Sequence, residues 1–516
     1  MAPKHDIELT GAALTTGEVE QVARHAARVG LGSEGQQRLR AGHERLHQAL
    51  NSGAAYYGIN TGFGALGRVK VNDTELHQLQ VNLIRSHSTG AGDPLSVAVV
   101  RATMLLLAAS LTRGYSGVRP CVVETLLQLI NADVTPAVPE LGSVGASGDL
   151  APLAHIAQVL MGEGEILHAG QVVPAAPHLQ AAQIEPVALE AKEGLALING
   201  THLMAGRGAL LMEDCNRLFD AALVAAAMSV DTCRATDATL DARVHEVRGQ
   251  PSQQYVASCM LKLLAGSEIM KSHIEGDSRV QDPYSFRCCP AVLGAVRDAM
   301  LHVRVHIETE LGGVTDNPLI FPTENGAAAD IVTGGNFHGM PLAIPLDLLG
   351  IAVAHLAGIS ERRIFHMLSG ADPEAPLPTF LTPKAGLQSG LMIAQYTAAA
   401  CCNELIGLAN PASVANLSTS AGMEDYNSFG PRSAAKADRA VRLARTVVAI
   451  ELLCAATGLD HHRPLTSGPK VEHAFAKIRE VVAPLDEDRS PAPDIRAIEQ
   501  LIDHGVFLFS TKDGSQ

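Results

Sequence analysis

Residues 142–153 of the chain read Gly142-Ser143-Val144-Gly145-Ala146-Ser147-Gly148-Asp149-Leu150-Ala151-Pro152-Leu153. Small residues at the centre of this stretch allow a tight turn, and glycine tolerates the unusual dihedrals and close backbone approach that such a turn requires. The amide nitrogen of Gly148 can therefore reach the carbonyl carbon of Ala146. A glycine-rich turn can also bind phosphate or have no ligand. However, the spacing fits neither the dinucleotide fingerprint nor the phosphate-binding loop, and no lysine follows the last glycine.

The composition is that of a folded globular enzyme, with 47% hydrophobic and 18% charged residues. There are 39 Lys and Arg against 54 Asp and Glu, a formal net charge of −15, which argues against nucleic acid or an anionic membrane as a partner. The N-terminus lacks an apolar signal core, and the nine cysteines include no C-x-x-C pair, so we expect a cytoplasmic location. The apolar stretch 344–359 contains Asp347 and His355, and we interpret it as a buried helix too short to cross a membrane.

Helical periodicity dominates the chain, and strand patterns are few and short. The predicted helices are 99–111, 122–130, 203–230, 346–368 and 434–457, and the predicted strands are 165–167 and 171–173. We therefore predict a mainly α fold. Residues 1–215 form an N-terminal domain with the glycine-rich segments, and residues 216–516 form a long-helix bundle and a C-terminal helical region. The long helices are apolar on more than one face, which indicates oligomerisation or one large core.

Two polar residues interrupt apolar or glycine-rich segments of the N-terminal region. Tyr57 begins the loop Tyr57-Gly58-Ile59-Asn60-Thr61-Gly62-Phe63-Gly64, which is either a surface loop or a binding element that positions the phenol. Asn199 ends the apolar run 195–198, either as part of a helix-terminal turn or as a donor to a charged substrate group.

The second half of the chain contributes further candidates. Tyr284 and Arg287 are three residues apart and share one face if the stretch is helical, and arginine suits bidentate binding of a carboxylate. The stretch Gly334-Gly335-Asn336-Phe337-His338 is another glycine-led turn, which by itself favours a structural role. Glu404 lies in the apolar helix around 398–405, where a buried carboxyl group must be paired, protonated or functional.

Taken together, these motifs resemble the aromatic amino acid ammonia-lyases and aminomutases over nearly the whole chain, from about Tyr57 to Gly430. The matches occur in family order at 57–64, Tyr-Ser-Gly-Val-Arg-Pro (115–120), Ala-Leu-Ile-Asn-Gly-Thr (196–201), Gln-Asp-Pro-Tyr-Ser (281–285) and Thr-Asp-Asn-Pro (315–318). The resemblance implies that Ala146, Ser147 and Gly148 cyclise and dehydrate to 4-methylidene-imidazol-5-one (MIO). This ring is an electrophile that no ordinary side chain provides, and no metal is required.

The resemblance also implies roles for individual residues. Ala146, Ser147 and Gly148 would supply the ring that makes the substrate amine a leaving group, and Tyr57 would remove a β proton once its surroundings activate the phenol. Arg287 would bind the substrate carboxylate. The family fold implied is mostly helical and homotetrameric, with active sites shared between subunits.

Asn199 and Tyr284 would position the substrate, and Phe337 would form a wall of the pocket. Within the family, Ser86-His87 is similar to the histidine type, since tyrosine-type enzymes place the histidine one position earlier and phenylalanine-type enzymes have apolar residues. Glu404 is also similar to the histidine type. The resemblance therefore implies that His87 and Glu404 hold an imidazole, and that L-histidine is converted to urocanate and ammonia.

Three positions depart from the histidine-type pattern. His202 follows Asn-Gly-Thr where glutamine is usual, and Met340 and Met423 stand in motifs that usually carry polar residues there. These departures leave open an MIO-dependent aminomutase, or a lyase acting on another aromatic amino acid.

One further motif suggests different chemistry. His43-Glu44-Arg45-Leu46-His47 matches the H-E-x-x-H pattern of zinc proteases, with two histidines one helical turn apart. Those helices usually carry uncharged residues between the glutamate and the second histidine, and the flanking residues 38–48 are polar. We therefore interpret the segment as a surface helix.

Overall fold

The computed structural model describes residues 6–508 except 52–53, 63, 65–66, 68–69, 324–328 and 375–376. Helices predominate in these residues. The α-helices are α1 (Thr16–Arg24), α2 (Ser33–Leu50), α3 (Leu76–His87), α4 (Val97–Thr112), α5 (Pro120–Asn131), α6 (Leu150–Leu160), α7 (Ala175–Ala181), α8 (Glu193–Ile198), α9 (His202–Thr232), α10 (Ala242–Arg248), α11 (Pro251–Leu264), α12 (Glu268–Lys271), α13 (Tyr284–Arg287), α14 (Cys289–Leu311), α15 (Met340–Ser369), α16 (Met392–Leu408), α17 (Gly430–Asp460), α18 (Pro469–Val481) and α19 (Ala492–Asp503). The 3-10 helices are Asp73–Glu75, Asp237–Leu240, Thr379–Leu381 and Ser420–Gly422.

The described strands are short and form small sheets. They are β1 (Ile7–Leu9), β2 (Val29–Leu31), β3 (Ala91–Pro94), β4 (Thr135–Pro136), β5 (Pro139–Leu141), β6 (Glu165–His168), β7 (Gln171–Pro174), β8 (Leu319–Phe321) and β9 (Asp330–Val332). β1 and β2 pair in parallel, with Ile7 opposite Val29. The pairs β3–β5 and β8–β9 and the three-stranded sheet β4–β6–β7 are antiparallel.

The mainly α prediction is confirmed, and so are the predicted helices and strands. Each predicted helix is found with slightly wider bounds, as α4, α5, α9, α15 and α17, and the two strands are β6 and β7. Local signals fix several of these ends. The Ser96 side chain accepts a hydrogen bond from the amide of Val99 at the start of α4, and Pro120 occupies the first turn of α5, where its missing N–H costs nothing.

The apolar stretch 344–359 belongs to a mostly buried helix as predicted, but the expectation that it is too short to cross a membrane is wrong. This segment is part of α15, which has 30 residues and is, among the described residues, the one helix long and apolar enough to cross a membrane. The charged residues 361–363 end the apolar run without ending the helix. Of its most apolar window, 67% is buried inside the protein, as is typical of a core helix.

The chain forms two compact units, each assembled from separate segments. The first contains residues 1–213, 304–346 and 411–435, and the second contains 214–303, 347–410 and 436–516. The sequence predicts one division, after residue 215. Residues 304–346 and 411–435 come later in the chain but fold back into the first unit. Apolar periodicity reports only on local structure, so it does not indicate this return. In that unit, α4 is buried along nearly its whole length and packs against α1 and α5.

Candidate active site

The turn Ala146-Ser147-Gly148 lies just before α6 and is pressed against the loop that follows α8. Gly148 has φ +75°, and a Cβ atom at this position would lie 2.1 Å from the carbonyl oxygen of Gly200. The amide of Asp149 donates to the same carbonyl oxygen at 2.7 Å. Glycine is therefore required at position 148 both for its backbone conformation and for the space that it leaves.

Two further segments, one just before α15 and one just before α17, also hold the turn. The carbonyl oxygen of Gly145 accepts hydrogen bonds from the Ser428 hydroxyl at 2.9 Å and from the amide of Gly339 at 3.2 Å. The amide of Phe429 donates to the carbonyl oxygen of Val144 at 2.8 Å. Residues far apart in sequence thus fix the backbone of the turn, which favours the close approach needed for cyclisation.

The Ser147 hydroxyl has a carboxylate partner that the sequence analysis missed. It donates to Oε1 of Glu424 at 2.8 Å, and Oε2 of the same glutamate accepts from the Thr419 hydroxyl at 3.0 Å. The sequence offered only the motif around Met423, which departs from the histidine-type pattern. Nothing in that motif indicated contact with a serine 277 residues earlier in the chain.

Asp149 is a second functional candidate that the sequence analysis did not select. Its buried carboxyl group accepts hydrogen bonds from the amides of Leu203 at 2.9 Å and Met204 at 3.2 Å, in the first turn of α9. Burial raises the pKa of Asp149 from its ordinary value near 3.8 to about 7, although those amide hydrogen bonds oppose the rise. Asp149 therefore links the turn to the start of α9.

This elevated pKa predicts a pH-dependent contribution to stability. The folded protein keeps the Asp149 proton up to about pH 7, whereas the unfolded chain releases it near pH 3.8, so this group's contribution to the free energy of unfolding falls as pH rises between those values. Asp149→Asn removes the titration. We expect the stability of the variant, relative to the unsubstituted protein, to improve as pH rises through this window. Urea unfolding of both proteins measures the difference, and a difference independent of pH would contradict the assignment.

Four of the predicted site residues line one cavity of about 430 Å³ in the first unit: Tyr57, His87, Ser147 and Asn199. This volume is within the range of small-molecule sites. The remaining lining residues are Gly62, Gly64, Leu79, Asn82, Leu83, Ser86, Leu150, Leu195, Ile198, Ser420 and Glu424. Ala146 is buried beside the cavity lining. Ser147 of the predicted cofactor-forming turn and Tyr57, the predicted base, thus line the same cavity.

Backbone hydrogen bonds orient the two ring side chains of this cavity. The phenolic oxygen of Tyr57 accepts a hydrogen bond from the amide of Gly64 at 2.9 Å, and an N–H donor in this position stabilises negative charge on the oxygen. Nδ1 of His87 lies 2.8 Å from the carbonyl oxygen of Leu83. Since a carbonyl can only accept, Nδ1 carries the proton, and Nε2 of His87 is left as an acceptor.

Asn199 lies at the end of α8, as the sequence predicts, and is 4% exposed. Its side-chain oxygen is buried without a hydrogen-bond partner in the described part of the chain. Because buried polar groups are nearly always paired, an unpaired amide oxygen in a cavity lining indicates an acceptor that a ligand would satisfy.

The other predicted side chains do not line this cavity. Tyr284 and Arg287 belong to the second unit, where α13 places them on one face as predicted, with the guanidinium carbon 4.7 Å from the ring centroid. Tyr284 is 66% exposed, and Arg287 donates to the side-chain oxygen of Gln281 at 2.7 Å. Phe337, in the first unit, is half-buried outside the cavity lining.

The prediction that Glu404 is buried is wrong. It lies on α16 as expected, but its side chain is 43% exposed and forms an ion pair with Arg439, which lowers the pKa of the Glu404 carboxyl group. Alanine and cysteine around it made the helix look buried on every side, whereas the described residues leave this face of α16 open.

Comparisons with known proteins identify the family of the chain. The sequence profile of the family described as aromatic amino acid lyase matches residues 14–480. A histidine ammonia-lyase from Anaeromyxobacter dehalogenans is 45% identical over 507 residues, which cover 97% of this chain and 99% of that protein.

Comparisons with solved structures give the same family assignment. Histidine ammonia-lyase from Trypanosoma cruzi is 37% identical with a TM-score of 0.89, covering 97% of this chain and 94% of that one. Tyrosine aminomutase from Streptomyces globisporus is 33% identical with a TM-score of 0.91, covering 99% of both chains. The chain belongs to the aromatic amino acid lyase family and is an enzyme of the ammonia-lyase class.

Proposed function

We propose that the protein converts L-histidine to urocanate and ammonia, using MIO formed from Ala146, Ser147 and Gly148. The observation that carries the proposal is the single cavity that Ser147 shares with Tyr57, His87 and Asn199. Relatives named as histidine ammonia-lyases, among them the proteins from Anaeromyxobacter dehalogenans, Deinococcus radiodurans and Trypanosoma cruzi, support the choice of substrate.

The residues of the turn fit the ring. Gly148 leaves no room for a side chain, the backbone is held on both sides, and the hydroxyl that must depart from Ser147 donates to Glu424. When formed, the ring supplies an electrophile that makes the substrate amine a leaving group. It needs no metal.

The side chains around the turn transfer the proton and bind the substrate. The Tyr57 oxygen takes up the β proton of the substrate, and the hydrogen bond from the Gly64 amide holds this oxygen in position. Nε2 of His87 accepts the N–H of the substrate imidazole, because Nδ1 is already committed to Leu83. The unpaired side-chain oxygen of Asn199 accepts a hydrogen bond from a polar group of the substrate.

We propose that assembly of several subunits brings the remaining predicted residues to the active site: Tyr284, Arg287, Glu404 and Phe337. We propose a homotetramer in which Arg287 holds the carboxylate, Tyr284 positions the substrate, Glu404 faces the imidazole and Phe337 encloses the pocket, with sites shared between subunits. Exposure supports this arrangement for Tyr284 and Glu404. On α16 the apolar side chains Ile393, Tyr396 and Ile406 are 55%, 60% and 72% exposed, and an oligomer would bury them.

The free alkene is the proposed product, rather than a β-amino acid. An aminomutase must retain its unsaturated intermediate until the amine adds back, which requires a closed pocket. Within one chain Met340 and Met423 both lie outside the cavity lining, so neither contributes to closing the cavity there.

The test is incubation of the purified protein with L-histidine. Ultraviolet absorbance follows the conjugated product, and NMR of the mixture identifies it. Urocanate that grows together with equimolar ammonia supports the proposal. Accumulation of β-histidine would show that the protein is an aminomutase instead. Product formed only from tyrosine or phenylalanine would identify a lyase for another substrate.

His87→Leu should lower kcat/KM for L-histidine by about tenfold to a hundredfold, because one ring nitrogen of the substrate would lose its partner in a desolvated site. Activity on phenylalanine or tyrosine should rise relative to that on histidine. Steady-state rates on all three amino acids measure this. His77→Leu, on the same helix but outside the cavity lining, is the control. An unchanged substrate profile in His87→Leu would refute the assignment.

A further inference from the structure

The two histidines of the H-E-x-x-H motif, at positions 43 and 47, lie side by side on α2. Their ring centroids are 4.5 Å apart, as the four-residue spacing on a helix dictates. His43 is half-buried and His47 is exposed. Neither lines the cavity of the candidate active site. The motif thus forms a separate pair of imidazoles in the first unit.

A third potential ligand approaches from another segment. Glu190 precedes α8, and its Oε2 lies 3.9 Å from Nε2 of His47. One ligand atom from each of His43, His47 and Glu190 lies within 4.8 Å of the other two, and no other such group of three occurs in the residues that the structure describes.

Contacts with neighbouring groups leave one ligand atom of His43 and one of Glu190 available to a cation. Nδ1 of His43 lies 3.1 Å from the carbonyl oxygen of Gly117 and must donate to it, so Nε2 is available for a cation. Oε1 of Glu190 is 2.7 Å from Nη1 of Arg119, which leaves Oε2 toward His47. The charge of Arg119 is also shared with buried Glu193, at 2.7 Å, so these three groups together carry a net negative charge.

We propose that His43, His47 and Glu190 bind one divalent cation of the zinc class. Two imidazole nitrogens and one carboxylate are ligands that Zn²⁺ accepts, with water completing the coordination, whereas Mg²⁺ and Ca²⁺ prefer oxygen ligands alone. Zinc–ligand distances near 2.0–2.2 Å require the side chains to draw together by rotamer changes. The exposed side chain of His47 is free to make such a change.

The cation would join two segments that lead to the active-site cavity. On α2, Leu46 and Ala49 pack in one apolar cluster with Ile59 of the Tyr57 loop, and Ala191, next to Glu190, packs against the same cluster. Binding at this site braces α2 against the segment that enters α8. The site is therefore structural and lies outside the catalytic machinery.

Equilibrium dialysis of the full-length protein against Zn²⁺, followed by metal analysis, tests the site. We expect one equivalent per chain that is lost, or weakened about tenfold or more, in both His47→Gln and Glu190→Gln. His306→Gln is the matched control, since His302 and His306 have the same spacing on α14 but belong to no such group of three. All four proteins keep the nine cysteines, so zinc bound by thiols cancels in the comparison.

A thermal-unfolding series separates a bound cation from a damaged fold. Zn²⁺ should raise the unfolding temperature of the unsubstituted protein and of His306→Gln, and should raise it less in the two site variants. Equal binding in all four proteins would overturn the proposal. Loss in His47→Gln with full binding in Glu190→Gln would also overturn it, because the third ligand would then be wrong.

Discussion

Ser147→Ala should abolish the release of ammonia from L-histidine while leaving the fold intact. Loss of the electrophile should reduce turnover on the order of 10⁴-fold or more, the scale seen when an enzyme loses its covalent catalyst. In the described part of the chain the hydroxyl makes one hydrogen bond, to Glu424, and its removal should affect stability only modestly. Assays of ammonia and urocanate measure the first effect, and thermal unfolding measures the second.

Intact-mass spectrometry connects this loss to the proposed ring. The unsubstituted protein should be lighter than its sequence by two waters, and Ser147→Ala should not show this deficit. Ser143→Ala is the comparison within the same loop, because its hydroxyl supports the turn by donating to the carbonyl oxygen of Gly148 at 3.1 Å but is not consumed. It should still lose two waters. An active unsubstituted protein with its full sequence mass would rule out the mechanism.

The helical architecture could be predicted because its causes are local. Apolar periodicity predicts α4, α5, α9, α15 and α17, and the end of one apolar run placed Asn199 correctly at the end of α8. The face shared by Tyr284 and Arg287 follows from their spacing alone. Such features depend on the few residues next to them, which the sequence displays directly.

The parts that escaped prediction depend on contacts between distant segments. Glu424 reaches Ser147 across 277 residues, and Asp149 caps a helix that begins at His202, so neither pairing leaves a local pattern. For Glu404 the sequence predicts burial, and the structure shows an exposed side chain. A helix face rich in small apolar residues has the same sequence whether the chain covers it or leaves it open, and here it is open.

Tyr57→Phe isolates the proton-transfer step. Without the phenolic oxygen the β proton has no acceptor at this position, and the rate should fall about 10² to 10⁴-fold, the usual contribution of a positioned base. The affinity for histidine should change much less, because His87 and Asn199 remain in the cavity. Steady-state kinetics, with kcat separated from KM, measure the effect.

The mass deficit distinguishes this loss from that of Ser147→Ala, because Tyr57→Phe should still lose two waters and fail only in turnover. Tyr56→Phe is the matched control. Tyr56 packs beside the apolar cluster of Leu46, Ala49 and Ile59 and does not line the cavity, so we expect its variant to stay within a few-fold of full activity. If Tyr57→Phe kept its rate, another group would have to be the base. If it lost both rate and mass deficit, Tyr57 would act in forming the ring, since the turn itself would then have failed to mature.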